Sequence, residues 1–126
     1  MEKIRKEVQN VESILTSIKK LLGIEEDYEI FDTDIIIYIN SAFATLTQLG
    51  VGPVEGFSIS DKTATWSSYM QNDPRLEHVK TYIYLKVKMI FDPPSSSTVI
   101  DAYNRNIQEM EWRLMHTVEI TMKEGG

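Results

Sequence analysis

A chain of 126 residues fits one domain and leaves no room for a second core of useful size. It holds no cysteine, which excludes disulfides and thiolate zinc sites. The net charge is −6, and the six acids of "EEDYEIFDTD" (Glu25, Glu26, Asp27, Glu29, Asp32 and Asp34) equal that whole excess, so the clustered basic face that phosphate binding needs is not expected.

No apolar run is long enough to span a bilayer and the start has no signal-peptide pattern, so the expectation is a soluble intracellular protein with no membrane partner. The first amphipathic stretch carries Ile4, Val8, Val11, Ile14, Leu15, Ile18, Leu21 and Leu22 within about 140° of a helical wheel. Gly23 stops it, and Lys19 and Lys20 sit in its last turn, where they suit the helix dipole. The acidic block follows and reads as a solvated loop that favours the start of the next helix. Asp32 and Asp34 have the spacing that opens a calcium loop, but the central glycine and closing glutamate are missing.

The second helix is expected from an N-cap at Asp32 or Thr33, with Ile35, Ile36, Ile39, Ala42, Phe43, Leu46 and Leu49 on one face and Gly50 at its end. From Gly50 to Asp73 the chain reads as a loop. Phe57 and Ile59 alternate with serines as a short extended piece, and Thr65 caps a brief helix from Trp66 to Gln71. The glycines at 50, 52 and 56 have the wrong spacing for a dinucleotide fingerprint and follow a helix where a strand is required.

Asp73–Pro74 opens the third main helix, with Asp at N-cap and Pro at N1. Leu76, Val79, Ile83, Val87 and Ile90 form one apolar arc, and Tyr82, Leu85 and Met89 form another. Such a helix is either the centre of the bundle or carries a second protein on one side. Its bases Arg75, Lys80, Lys86 and Lys88 are scattered round the wheel, which disfavours a DNA-reading helix. Pro93–Pro94 ends it, and Ser96, Ser97 or Thr98 caps the last helix, with Thr98 and Asp101 at capping-box spacing. Val99, Ile100, Tyr103, Ile107, Met110, Leu114 and Val118 share a stripe of about 100°. Trp112 and Met115 lie off it, either as a contact surface or under a neighbouring helix of the same chain.

The expected architecture is therefore all-α: a small bundle of four main helices, plus a short helix in the loop between the second and third. It forms one domain over 1–126, with 1–12 an N-terminal extension of the first helix and 119–126 a flexible tail. Chemistry is hard to find. His78 and His116 have no companions at metal-ligand spacing, the serines at 95–97 lack a lysine or glycine signature, and no P-loop is present. No catalytic, cofactor or metal residue is assigned. A hydrolase using the acidic block is the weakest reading, and a small DNA-binding or packaging accessory protein is the alternative.

"SILTSIKKLLGI", "FDTDIIIYINSAFATLTQLGVGPVEGFSI", "TATW" and "LEHVKTYIYLKVKMIFDPPSSSTVIDAYNRNIQEMEWRL" together resemble the head–tail connector (adaptor, or head-completion) proteins of long-tailed bacteriophages and prophages. The resemblance covers roughly 13–118 and rests on the ordered set: Leu-Gly after the second helix, a Gly-Pro loop, a Trp, and a helix closing on Phe-Asp-Pro-Pro. It implies a non-enzymatic virion protein of the head–tail junction, present in the host cytoplasm during assembly. It implies a ring, commonly of twelve subunits, on the portal protein, joined to a stopper or tail-completion protein. DNA would pass through the lumen without sequence-specific contacts, where an acidic surface keeps it from sticking. The candidate subunit or portal interface is Trp66, Tyr69, Tyr82, Leu85, Met89, Trp112 and Met115.

Overall fold

The computed structural model describes residues 12–125, with side chains as far as residue 116. The expected extension at 1–12 therefore falls, apart from Glu12, outside the described residues, as do Gly126 and the side chains of Val118 and of the expected tail. Among the described residues five helices follow one another: α1 (Ile14–Leu21), α2 (Asp32–Gln48), α3 (Trp66–Tyr69), α4 (Leu76–Phe91) and α5 (Ser97–Gly125). The all-α expectation, four long helices and one short one in the long loop, is what the structure shows.

The amphipathic stretch from Ile4 does not run through as one helix. Ser13 has extended backbone, and its Oγ accepts the Thr16 N–H at 3.2 Å as the N-cap of α1. The same residue forms an antiparallel bridge with Thr65: Ile14 N–H donates to Ala64 O at 3.0 Å and Trp66 N–H to Glu12 O at 3.2 Å. A serine that satisfies a helix end while its backbone pairs with another segment breaks the periodic pattern at that point. At the other end, Ile24 N–H returns to Lys19 O and Gly23 N–H to Lys20 O, the double hydrogen bond of a Schellman stop. α2 ends the same way, with Val51 N–H on Leu46 O and Gly50 N–H on Thr47 O, and it buries Val51 against Leu46.

α2 buries Ile35, Ile39, Ala42, Phe43 and Leu46, the expected face, with Ile36 and Leu49 at its margin. Asp32 does not cap it. Phe31 occupies the N-cap position without a side-chain hydrogen bond, because the Asp32 carboxylate is drawn to Lys19. Lys19 is not a solvated last-turn charge. Its side chain is 2 % exposed, and its ammonium donates to Glu26 O at 2.9 Å and Tyr28 O at 2.8 Å and meets Asp32 Oδ1 at 2.8 Å. Three donors thus find three oxygens. Asp32 Oδ1 is buried and has no other polar partner, so the ion pair is what compensates it.

The expected extended piece at Phe57–Ile59 is held without a strand. Asn40 does the work of a neighbouring strand: its Nδ2 donates to Ile59 O at 2.9 Å and its Oδ1 accepts Ile59 N–H at 2.7 Å. α3 is shorter than expected, ending at Tyr69, with Thr65 N–H donating to Ser68 Oγ at 3.2 Å. Asp73 acts one turn before α4 proper. Its carboxylate accepts the Arg75 N–H at 2.9 Å and clasps the Arg75 guanidinium, which holds the Asp73 carboxyl below its ordinary range. Thr98 and Asp101 lie inside α5 rather than at its cap, since the first helical bond runs from Ile100 N–H to Ser96 O.

α4 is the centre of the bundle, packing on α1, α2 and α5. Both of its apolar arcs are covered within the chain, except that Ile90 is half exposed. α5 contributes Ile107 and Leu114 to the core, with Tyr103 and Met110 beside them.

Two stability predictions follow from these contacts. Replacing Lys19 by Met leaves a buried carboxylate oxygen and two carbonyls without their donor, so urea denaturation should show a loss of about 3 kcal/mol. Lys20→Met, one residue on and exposed, should change stability by less than about 0.5 kcal/mol; equal effects would refute the anchoring role of Lys19. At Gly52, φ is +87° and an added Cβ would lie 2.6 Å from the Tyr69 ring. Gly52→Ala should therefore cost at least about 2 kcal/mol in the same assay, with part of that loss recovered when Tyr69 is shortened to Leu.

Candidate assembly surface

The seven residues singled out from sequence divide sharply by place. Trp66 is fully buried. Its indole N–H donates to Ser17 Oγ at 2.9 Å, Ser17 Oγ donates on to Ile14 O, and Lys80 Nζ lies 5.6 Å from the ring centre. Tyr69 packs against Phe43 and Phe57, with centroids 4.7 and 5.1 Å away, and burial pushes its hydroxyl up to about 12. Tyr82 is buried and donates to Glu111 Oε2 at 2.9 Å, tying α4 to α5; burial and that hydrogen bond raise its ionisation well above the usual tyrosine range. Leu85 is buried and Met89 is half-buried against the core. Packing inside the chain accounts for these five positions.

Trp112 and Met115 remain outside. Trp112 is 58 % exposed and stacks on His116, with centroids 4.8 Å apart and rings only 10° from parallel. Beside Trp112, the start of α4 and α5 leave a groove of about 260 Å³, lined on one side by Arg75 and His78 and on the other by Arg113, His116 and Trp112; Met115 is not part of it. Small-molecule sites usually run to roughly 300–1,000 Å³, so this one suits a single protruding side chain better than a metabolite. Arg75 is paired with Asp73 and Arg113 with Glu109. Among the described residues that line the groove there is no carboxylate.

A second exposed apolar area was not legible as such in the sequence. Between the acids of the loop before α2, Tyr28, Ile30 and Phe31 face outward, Ile30 with 70 % of its surface exposed. Tyr28 leans on Phe31 at 5.8 Å, and Phe31 meets Phe91 edge-on at 5.1 Å, next to exposed Ile90. The signal was the interleaving in "EEDYEIFD", hidden by reading the block for its charge alone.

Among the described residues no three His, Cys, Asp or Glu side chains come together as a metal site, and no helix is long and apolar enough to cross a membrane. The serines at 95–97 are exposed at the corner where α5 begins. Chemically, the two areas offer aromatic and aliphatic contact with a charged rim, which is how protein surfaces meet.

The two tryptophans provide a direct check of this division. Iodide should quench Trp112 fluorescence and spare Trp66, and Trp112→Ala should remove the quenchable component while shifting stability by less than about 0.5 kcal/mol. Uniform quenching of both would contradict the burial pattern.

Comparison with known proteins gives one match: a family model described as phage connector protein matches residues 14–121. No curated protein and no solved structure matches the chain.

Proposed function

The chain belongs to the phage connector protein family, and from that premise we propose that it is a structural component of the head–tail junction, forming a ring on the portal that prolongs the DNA channel and receives the next stopper or tail-completion protein. The observation that carries this reading is the family match over nearly the whole folded region, from the first residue of α1 into the last helix. The fold supports it. A subunit of a closed ring needs two unlike surfaces, one for each neighbour, and this chain exposes two unlike apolar areas on an otherwise self-sufficient core.

The role is mechanical rather than catalytic. A connector holds its neighbours in register and leaves a passage, so what it needs is a rigid core and adhesive edges. The bundle around α4 supplies rigidity, and Trp112, Met115 and the Tyr28–Phe31 loop supply edges. The acid excess suits a wall past which DNA slides, because like charge keeps phosphates from binding.

Disrupting this gene in the phage that encodes it separates the reading from a packaging role. A connector predicts genomes cut to unit length, with heads and tails that accumulate unjoined and join again when the protein is supplied. Uncut concatemers would instead assign it to packaging, and normal tailed particles would remove it from the junction altogether.

A further inference from the structure

α5 is the longest helix and, among the described residues, the most lightly anchored of the long ones. Its buried side chains there are Ile107 and Leu114, with Tyr103 and Met110 half-buried beside them, whereas α4 buries six side chains and α2 five. α4 is also the one helix with which α5 shares an extensive interface. Elements with few buried contacts open at the lowest free energy.

The corner between α4 and α5 is not held shut. Asp92 is bound back to Lys88 of α4, and the α5 ladder begins at Ser96 O. Between them, exposed Pro93 and Ser95 and half-buried Pro94 make no hydrogen bond within the chain. The prolines have no N–H to give. Asp92 and Pro93 each precede a proline, which favours extended backbone. Stretched out, residues 92–96 span roughly 17 Å, more than the roughly 8–10 Å between packed helix axes.

Parting the two helices would expose two defined faces. One is the side of α4 that carries Tyr82, whose hydroxyl holds Glu111 of α5 at 2.9 Å. The other is the α5 stripe of Tyr103, Ile107, Met110 and Leu114. Each face has a fitted counterpart on a second copy of the chain, because the same two faces already fit each other within one.

We infer that α5 is exchanged between copies: in the assembled protein, α5 of one copy packs on α4 of the next and remakes between chains the interface that the isolated chain makes within itself. Exchange of an identical element is a low-cost route to association, since no new contact surface is required. In dilute solution the short corner keeps α5 at home, where its effective concentration is high. Copies crowded on one platform meet at a comparable local concentration. This deepens the ring reading and rests on it for closure: passed on in one direction, the exchange makes a ring when its rotation closes and a filament when it does not. The Tyr82 face is then core and subunit interface at once.

The chain has no cysteine, so a pair placed at His78 and Trp112, which line one groove from α4 and α5, reports where α5 lies. A chain carrying His78→Cys and Trp112→Cys is supplied to the phage whose own gene is disrupted. The resulting heads and particles are treated with a short bismaleimide and run on a denaturing gel. Each thiolate adds across one maleimide double bond and the adduct takes a proton from water, so no oxidant is involved. α5 at home gives a crosslink inside one chain and a monomer band. α5 passed on gives a covalent ladder longer than a dimer, which is the expected result. Inserting Gly-Ser-Gly-Ser after Ser95 should cut that ladder at least about fivefold, because a relaxed corner favours closure within the chain. In the purified full-length protein, deleting Pro94 and Ser95 leaves too little chain to turn and should convert the monomer band into multimers. Monomer bands alone in particles, dimers without longer products, a ladder indifferent to corner length, or a shortened chain that stays monomeric would overturn the inference. Head–tail joining is scored separately: joining with monomer bands alone fails the exchange alone, and a ladder without joining fails the connector reading alone.

Discussion

A buried ammonium organises this molecule. Placing Lys19 out of water costs several kcal/mol unless its charge and all three donors are met, and the chain meets them with two loop carbonyls and the first carboxylate of α2. The consequence is geometric. The end of α1, the acidic loop and the start of α2 become one corner, because any of them moving away would leave a buried charge or an unpartnered carboxylate oxygen behind. That corner is where Tyr28, Ile30 and Phe31 are held outward. An apolar loop tip in water would ordinarily collapse onto its own core; here the backbone beneath it is already committed to Lys19.

The rest of the fold is a conventional solution to burying a helix that is apolar on two sides. α4 packs on α1, α2 and α5, which together cover its two arcs, and the polar groups carried inward are each matched: Tyr82 by Glu111, the Trp66 indole by Ser17, and the Ile59 backbone by Asn40. These matches pin the long loop and the short α3 to the bundle without a sheet. A subunit built this way is rigid by itself and has surface to spare at both ends of its central helix, which is what a structural connector requires.

Helix existence, order, the face of α2 and that of α5 from Tyr103 to Leu114 were legible in the sequence because one-sided burial leaves a 3.6-residue period, and glycines in left-handed stops mark helix ends; Val99, expected on the same stripe of α5, is exposed. The start of α1 was not, because the apolar period continues through Ser13 and only the pairing with Thr65, fifty-two residues on, breaks it. Lys19 was misread for a related reason. A lysine in a last helical turn carries a plausible local role, and nothing in its neighbours announces that three oxygens from the next loop will bury it. Among the candidate interface residues, Trp112 and Met115 could be picked out as lying off their helix's stripe. Trp66, Tyr69 and the second arc of α4 could not be told from core by wheel position alone, since an arc facing a partner and an arc facing the chain's own last helix have the same pattern. Tyr28, Ile30 and Phe31 were masked by the acids between them.

The central claim is that this chain acts as a structural subunit that meets its own copies through unlike surfaces at the junction of phage head and tail. Reconstruction of that junction from intact particles, at a resolution where helices can be traced, tests it most directly. The account predicts copies of this bundle in a closed ring against the portal, each touching its two neighbours through different surfaces. Particles whose junction lacks this chain, or holds copies that do not touch one another, would contradict it.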